Sequence, residues 1–197
     1  MGYYDPHPTH YLKAPLLIYG VPGTNVSAVA YKTSAMTGLP FVDLERRFEH
    51  TVGQSLIEHL INSGTEKTLS LFQDLITRLQ KEQPFGIWAS GNLVLLHRYS
   101  REKIADQCSK IMLTKNILTV YPDWVMEMSN YPQRHADVLY AQREHSYDIK
   151  DYRENLLKSF PKPTHSISMD THNTLKCVNK ILQWIQNQGE ADISNII

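Results

Sequence analysis

The sequence has few cysteines, no excess of charge of either sign and no long apolar run. Only two of its 197 residues are cysteines, too few for a disulfide framework, and Cys108 and Cys177 lack the spacing of metal ligands. We expect both to be reduced thiols on separate helices. Twenty basic and twenty acidic side chains give a formal net charge of zero, so no broad electrostatic field favours nucleic acid or an anionic membrane as a partner. The expected partner is a small molecule or another protein.

Membrane segments, targeting signals and metal motifs are also missing from the pattern. The longest apolar runs, such as PLLI and LVLL, are far shorter than the roughly 20 residues that span a bilayer. The N-terminal stretch MGYYDPHPTHYLK has no apolar signal core, which predicts a cytoplasmic protein. Nine histidines are present, but they form neither HExxH nor a zinc-type pattern with cysteine. No metal site is expected from the histidines.

The length of the chain favours one domain. A chain of 197 residues, of which 42% are hydrophobic, can bury one core but not two of ordinary size. We expect a single domain over residues 1–187, with a lid or extra helical region over about 122–163, and a flexible tail over 188–197. Neither internal repeats nor low-complexity tracts occur in the sequence.

A strand–helix–strand unit is predicted for the first part of the chain. The apolar run from Pro15 to Tyr19 is typical of a buried parallel strand. A helix over residues 26–37 follows, with Gly38 as its C-terminal stop. The stretch LPFVDLE then forms a second strand that ends near Asp43.

Strands and helices alternate along the rest of the chain. Helices are predicted for GQSLIEHLINSG and EKTLSLFQDLITRLQKEQ, and again from Ser100 to about Lys110. Strands are predicted for PFGIWAS, NILTVY and HSISM. A last helix carries an apolar stripe of Leu175, Val178, Ile181, Leu182 and Ile185. This alternation predicts an α/β protein with three layers, α/β/α, around a central parallel sheet of about five strands.

The stretch GVPGTNVS, residues 20–27, has the outline of a phosphate-binding loop and is called the phosphate loop below. Such a loop directs backbone N–H groups and a helix N-terminus at an anion, while a lysine neutralises charge and a hydroxyl holds magnesium. Asn25 stands where the last glycine is expected, and asparagine tolerates a positive φ. The candidate residues of the loop are Gly20, Gly23, Thr24, Asn25, Val26 and Ser27.

Val26 occupies the position at which a phosphate loop carries its lysine. Its presence removes a charge-assisted contact worth roughly 1.5–3 kcal/mol to bound phosphate. Lys13 and Lys32 are the nearest cationic replacements in the sequence, but the first precedes the strand and the second lies well inside the helix. A turn between any strand and helix uses glycine and serine in the same way, so the loop alone leaves a purely structural role open.

Downstream motifs at matching spacing resemble those of the shikimate kinase family, a family of small P-loop kinases. That family has GxxGxGK[ST], then LGxxFxDxD, then TGxSIxEIFxxxGExxFRxxE, then a GGG strand end. This chain has GVPGTNVS, TGLPFVDLE, TVGQSLIEHLINSGTEKTLSLF and ASGNLV, without a gap from Gly20 to Val94. Further on, AQREHSYD is similar to the family's arginine helix, and SMDTHNTLKCVNKIL to its adenine-side loop and last helix. The resemblance implies a P-loop kinase architecture.

The resemblance assigns roles to the acidic and aromatic positions in the first half of the chain. Asp43 matches an aspartate on the magnesium side, which with Ser27 would be the metal contact if Mg²⁺ binds. Glu45 stands where a second aspartate binds substrate hydroxyls. Leu69 replaces the arginine that grips the substrate carboxylate, with Thr68 and Phe72 in place of the flanking phenylalanine and glutamate.

Four further candidates for the substrate pocket, Gly91, Asn92, Arg134 and Arg143, follow from the same resemblance. The triple glycine corresponds to Ser90, Gly91 and Asn92, so only its centre is kept. Arg143 matches the substrate arginine of the later helix, and Arg134 is an unaligned counterpart of a lid arginine. The segment over 148–163 is extra relative to the family.

The missing lysine would bind the phosphate of the nucleotide, and the missing arginine would bind the carboxylate of the substrate. Because both are replaced, we predict that the chain keeps the fold without the chemistry. The chain is therefore expected to be a shikimate-kinase-like pseudoenzyme with a degenerate Walker A motif. It would require no cofactor, bind ATP or ADP with Mg²⁺ weakly at most, and act by binding a small molecule or a protein.

An active enzyme on an altered small molecule, with Asp43, Glu45 and Arg143 in its pocket, is the alternative. Each of these residues also has a structural interpretation. Asp43 and Glu45 suit a helix N-terminus, Ser27 suits a helix start, and Arg143 can pair with its acidic neighbours Glu144 and Asp148.

Overall fold

The computed structural model describes residues 12–21, 23–91, 102, 104, 106–116, 157–158, 160–170 and 173–187. Strands and helices alternate along this part of the chain. The elements are β1 (Leu16–Gly20), α1 (Val26–Thr37), β2 (Phe41–Asp43), α2 (Leu44–Val52), α3 (Leu56–Ser63), α4 (Thr65–Glu82), β3 (Ile87–Ala89), β4 (Ser109–Thr114), β5 (His165–Ser168) and α5 (Thr174–Asn187).

The five strands form one sheet in the order β2-β3-β1-β4-β5. Every neighbouring pair is parallel, and Leu16 of β1 lies opposite Ile87 of β3 on one side and Ser109 of β4 on the other. Both neighbours of the central strand β1 therefore come from much later in the sequence. The predicted α/β fold with a parallel sheet of five strands is confirmed.

Helices cover both faces of the sheet. Successive residues of a strand point to opposite faces, and those of β1 are buried in two different cores. Leu17 and Tyr19 face a core shared with α2, α3 and α4. Leu16 and Ile18 face a second core shared with α1 and α5, which pack beside each other. All five residues of β1 are buried, as expected for a central parallel strand.

The helix boundaries follow from local capping chemistry. Gly38 ends α1 with a φ of 72°, a left-handed conformation that suits glycine. Ser55 and Glu58 form a reciprocal capping box at the start of α3, and Gly64 ends that helix. The predicted bounds of α1 and the stop of α3 at Gly64 are confirmed.

Four details of the sequence prediction are wrong. No strand was predicted over 109–114, where the structure has β4. Of the predicted strand NILTVY only Asn116 is described, and it lies outside β4, while residues 117–121 lie outside the described residues. The predicted helix from Ser100 cannot reach Lys110, because Lys110 already belongs to β4. Cys108 consequently precedes a strand and lies on no helix. Leu175 of the predicted apolar stripe is 53% exposed, and Cys177 and Trp184 are buried on α5 instead.

The segment before β5 is attached to the centre of the sheet through Tyr19. The Tyr19 hydroxyl donates a 2.5 Å hydrogen bond to the Pro161 carbonyl, and its ring meets Phe160 edge to face at 5.3 Å. Burial raises the pKa of Tyr19 well above its ordinary value, so the hydroxyl remains protonated as a donor. Most of the predicted lid over 122–163, and the tail over 188–197, lie outside the described residues. No helix in the described part is long and apolar enough to cross a membrane.

Candidate functional site

The phosphate loop connects the carboxyl end of β1 to the first turn of α1. Gly23 has a φ of 79° and Asn25 has a φ of 47°. Among the described residues, Asn25 is the one residue other than glycine that has a positive φ. Asn25 is the N-cap of α1, but its side chain makes no capping hydrogen bond. The orphan N–H groups of a helix N-terminus thus lie beside the loop, as an anion site requires.

Close packing at Gly20 fixes the beginning of the phosphate loop. A Cβ atom at Gly20 would lie 2.6 Å from both the Leu113 carbonyl oxygen and the Thr24 hydroxyl. Thr24 is itself 1% exposed and donates a 2.6 Å hydrogen bond to the Val21 carbonyl. Thr24 therefore closes the turn from within and does not present its hydroxyl to solvent or to a ligand.

Val26 is the first residue of α1, and its side chain is only half-buried. It packs against the core that α1 and α5 share with the sheet. This is the position where the resemblance to the shikimate kinase motifs predicts a lysine. An apolar side chain here adds packing to the core and offers no charge to an anion in the loop.

Ser27 and Asp43 are brought together from α1 and from the end of β2. The Ser27 hydroxyl donates a 2.6 Å hydrogen bond to Asp43 Oδ2. Asp43 Oδ1 accepts from the Arg46 backbone N–H at 3.2 Å and caps α2, and the exposed Arg46 guanidinium lies 3.9 Å from Oδ2. The structural interpretation of Asp43 as a helix N-terminal residue is confirmed, since it is the N-cap of α2, and its contact with Ser27 also places it beside the phosphate loop.

Glu45 and Gly91 meet at the neighbouring strand ends. A Cβ atom at Gly91 would collide with the Glu45 carboxylate, so glycine is required for the carboxylate to lie against the end of β3. Glu45 belongs to the first turn of α2, where a negative charge is favourable. The other three pocket candidates, Asn92, Arg134 and Arg143, lie outside the described residues.

Two oxygen donors of the site fit a magnesium ion in chemical type. Mg²⁺ prefers carboxylate, hydroxyl and water oxygens and is usually held by one or two protein ligands together with substrate phosphates. Ser27 Oγ and Asp43 Oδ2 would be those ligands. The hydrogen bond between these two atoms would have to break for both to bind the ion. Among the described residues no group of three or more histidine, cysteine or acidic side chains is placed to hold a metal alone.

The position expected for a substrate arginine holds a leucine on α4, next to residues that belong to the helix packing. Leu69 is half-buried on α4, and Phe72 is fully within the core. Thr68, which is 1% exposed, donates to the Gly64 carbonyl at 2.8 Å, and its hydroxyl lies 2.7 Å from Nδ1 of the buried His59. This buried polar pair joins α3 to α4. It was not predicted from the sequence, because nothing in a threonine and a histidine nine residues apart signals their contact.

Lys115 is a cation near the phosphate loop that the sequence prediction missed. It follows β4 directly, and its ammonium lies 3.5 Å from the Gly23 carbonyl oxygen. The error in the strand assignment accounts for the omission. A strand at NILTVY would place Lys115 before the strand, at the opposite edge of the sheet from the loop.

Three solved structures that superpose on this chain are kinases. The shikimate kinase of Aquifex aeolicus superposes with a TM-score of 0.66 at 15% identity, over 88% of this chain and 98% of that chain. The shikimate kinase of Acinetobacter baumannii, solved in complex with shikimate, has a TM-score of 0.64 at 14% identity, over 89% of this chain and 94% of that one. A sugar kinase of a Janibacter species has a TM-score of 0.52 at 14% identity, over 88% of this chain and 95% of that chain.

The comparisons by sequence give no corresponding match. No family model and no curated protein matches this sequence. The superpositions show that the chain has a shikimate-kinase-like P-loop fold. Because the sequence identity is 15% or less, the similarity is one of fold alone.

Proposed function

We propose that this protein is a shikimate-kinase-like pseudoenzyme, which binds a ligand or a partner protein at the former kinase site without transferring a phosphoryl group. The observation that carries the proposal is Val26, an apolar side chain packed on the core at the first residue of α1. Phosphoryl transfer depends almost entirely on positioning and on neutralising charge. Without a lysine at this position, the loop lacks its usual stabiliser of the transferring group.

The second support comes from the substrate side of the site. Leu69 stands where the resembled family has a carboxylate-binding arginine, and the adjacent Thr68 is committed to Gly64 and His59. A leucine cannot make the bidentate contact of a guanidinium. Because the two replacements affect different ligands, an altered substrate alone does not account for both.

The proposed partner is a small molecule or a protein in the cytoplasm. The kinase-like fold favours a small molecule at the carboxyl ends of the strands, and zero net charge argues against nucleic acid. No cofactor is required for a binding function. ATP or ADP with Mg²⁺ would bind weakly, through the loop backbone and the Ser27–Asp43 pair.

The direct test is an assay for phosphoryl transfer from ATP–Mg²⁺ to shikimate and to a panel of metabolites. We expect no turnover with any acceptor, and turnover at ordinary kinase rates would refute the proposal. Thermal unfolding with the same compounds should identify the ligand, since a compound at about a hundred times its Kd adds roughly 2.7 kcal/mol to stability. Co-purification of one protein, with no stabilising metabolite, would select a partner-binding role.

Rebuilding the loop tests whether the lost lysine is the cause. The variant Asn25→Gly with Val26→Lys should bind ATP–Mg²⁺ about tenfold or more tightly than the natural chain, because a charge-assisted contact contributes roughly 1.5–3 kcal/mol. Val26→Met, which adds length without charge, is the matched control. Equal affinities of the rebuilt and natural proteins in calorimetry would show that the loop no longer has a phosphate-binding shape.

An active enzyme on an altered substrate is the second candidate. It is favoured by the Glu45 carboxylate, which lies at the end of β3 against Gly91, close in the fold to the strand ends where ligands bind. One metabolite that stabilises the protein and is turned over, with both effects abolished by Glu45→Gln, would favour this candidate over the pseudoenzyme.

A further inference from the structure

The outer side of α1 and α5 carries positive charge without an acid to compensate it, and it is called the lysine face below. The two helices pack beside each other over one face of the sheet. Lys32 of α1 and both Lys176 and Lys180 of α5 are exposed there. Neither helix contains an aspartate or a glutamate, and none of the three lysines forms an ion pair with a described residue. The charge of this face is thus of one sign, although the whole chain is neutral.

Helix α4, on the opposite face of the sheet, has a different pattern of charge. Its exposed charged side chains alternate in sign and are Glu66, Lys67, Asp74, Arg78, Lys81 and Glu82. A mixed pattern of this kind is typical of a solvated helix. On α5, by contrast, Lys176 and Lys180 are four residues apart, a spacing at which like charges repel and slightly destabilise a helix. Acidic groups from outside the two helices would relieve that repulsion.

The lysine face also holds the most exposed apolar side chains of the described residues. Tyr31 is 61% exposed, Leu175 is 53% exposed and Met36 is 47% exposed, more than any other large hydrophobic residue that the structure describes. The Tyr31 ring meets Phe41 edge to face at 5.7 Å, so it is supported from one side while the rest faces solvent. Tyrosine and methionine are enriched in protein interfaces. The face therefore combines apolar contact area with unneutralised positive charge.

Three other occupants match this combination less well. A two-fold contact with a second copy of the chain would bring the same patch of both copies together and would oppose lysine to lysine. Nucleic acid binds tightly through on the order of 6–10 phosphate contacts, whereas α1 and α5 offer three lysines and no arginine. A membrane requires a continuous apolar side, and α5 turns its apolar stripe to the sheet.

We propose that the lysine face is a docking surface for an acidic amphipathic helix of a partner protein. Carboxylates of that helix would pair with the three lysines, and its apolar side would cover the three exposed apolar side chains. A helix is the expected form of the segment, because side chains of a third helix pack into the grooves of two adjacent helices. This inference goes beyond the proposed function, since the lysine face is the outside of a helix layer and not the carboxyl ends of the strands.

Fluorescence anisotropy with a labelled synthetic helix tests the docking surface on the full chain. The probe is a peptide of about 18 residues with leucines on one side and glutamates beside them, and the comparison peptide has glutamine in place of every glutamate. We expect the glutamate peptide to bind about tenfold more tightly than the glutamine peptide at low salt, and this advantage to shrink as salt screens the charges. Equal binding of the two peptides, or no binding of the glutamate peptide, overturns the proposal.

Charge reversal locates the contact. The first variant combines three substitutions on the lysine face, Lys32→Glu, Lys176→Glu and Lys180→Glu. It should abolish binding of the glutamate peptide, because attraction is replaced by repulsion. The matched control reverses three exposed cations of α4, by Lys67→Glu, Arg78→Glu and Lys81→Glu. The control should keep the affinity within about twofold, and equal losses in both variants would overturn the lysine face as the site.

The apolar half of the contact is tested separately. Tyr31→Ser with Leu175→Ser should weaken binding of the glutamate peptide about tenfold at low and at high salt, because apolar contacts are not screened. Ile61→Ser with Leu71→Ser, at exposed apolar positions of α3 and α4, is the matched control and should leave binding unchanged. Thermal unfolding checks that every variant is folded, and glutamine replaces glutamate in any charge variant that unfolds.

Two further probes distinguish a protein from other acidic occupants. Vesicles of anionic phospholipid and a DNA duplex are titrated under the same conditions. Binding of either one, abolished by the charge reversal and without binding of the glutamate peptide, would overturn the partner protein in favour of a membrane or nucleic acid. Phosphoryl transfer at kinase rates would refute the pseudoenzyme and would leave the result at the lysine face unchanged.

Discussion

The Ser27 hydroxyl donates a 2.6 Å hydrogen bond to the carboxylate of Asp43. The two residues are sixteen positions apart, and their contact fixes the first turn of α1 against the end of β2. Since Asp43 also caps α2, one carboxylate holds the start of two helices.

Removal of either side chain should therefore destabilise the fold by different amounts. We expect Ser27→Ala to cost about 1 kcal/mol and Asp43→Ala about 2 kcal/mol, because the second change also removes the cap. The double variant should show a coupling energy of about 1 kcal/mol in urea denaturation. Ser70→Ala on the exposed face of α4 is the control, and additive losses at Ser27 and Asp43 would contradict the contact.

At Asn25, we expect a glycine variant to be more stable than an alanine variant, which is the opposite of the order at an ordinary helical residue. Its left-handed φ of 47° suits glycine and disfavours residues with a Cβ atom. Asn25→Gly should be within about 0.5 kcal/mol of the natural chain, and Asn25→Ala should be less stable by about 1 kcal/mol. At Asn62, an exposed residue of α3, alanine should be the more stable of the two. The same order at both positions in denaturant titrations would exclude the left-handed loop.

Thr68→Val should destabilise the protein by about 1–3 kcal/mol, because it leaves Nδ1 of the buried His59 without its hydroxyl partner. Thr77→Val on the same helix is the matched control. Thr77 makes the same kind of hydrogen bond to the residue four positions earlier, but in a partly buried position. The measurement is chemical denaturation of both variants, and equal losses would mean that the His59 contact contributes nothing.

Because of Cys108, the folding stability of the protein should fall as the pH rises in the alkaline range. Burial raises the pKa of this thiol from 9.0 to about 12, against a smaller opposing effect of Lys110. Between those values the unfolded chain loses the thiol proton and the folded chain keeps it, so folding stability falls as pH rises through this window. The slope from one group is at most about 1.4 kcal/mol per pH unit.

The measurement for Cys108 is the difference in unfolding free energy between the natural chain and Cys108→Ala. That difference should be constant up to about pH 8 and should shrink above pH 9, the ordinary pKa of the thiol. A difference that stays constant to pH 11 would show that the thiol titrates normally in the folded state.

Much of the fold could be predicted because its signals are local. Gly38 and Gly64 end their helices through backbone conformations that a sequence reveals, and Ser55 with Glu58 is a recognisable cap. The fourth strand could not be predicted in the same way. Its sequence SKIMLT is only partly buried and gives a weak local signal, and it is a strand because it pairs with β1.

The site was predictable only where it depends on residues of the first strand–helix–strand unit. The motif spacing places Ser27 after β1 and Asp43 at the end of β2, and the side chains of these two residues meet. Lys115 depends on the register of β4 against β1, which no local pattern specifies. The contact of His59 with Thr68 depends on how α3 packs against α4, and a sequence carries no simple signal for that packing.

The position of β1 at the centre of the sheet has a consequence for synthesis of the protein. Residues 16–20 emerge from the ribosome before their partners, which are residues 87–89 and 109–113. Until the latter are made, an apolar strand with two unpaired edges has no native neighbour, and such species are prone to aggregate. We expect slow folding, in line with the long-range pairing of a parallel sheet, and a nascent chain that depends on chaperones until β4 is complete.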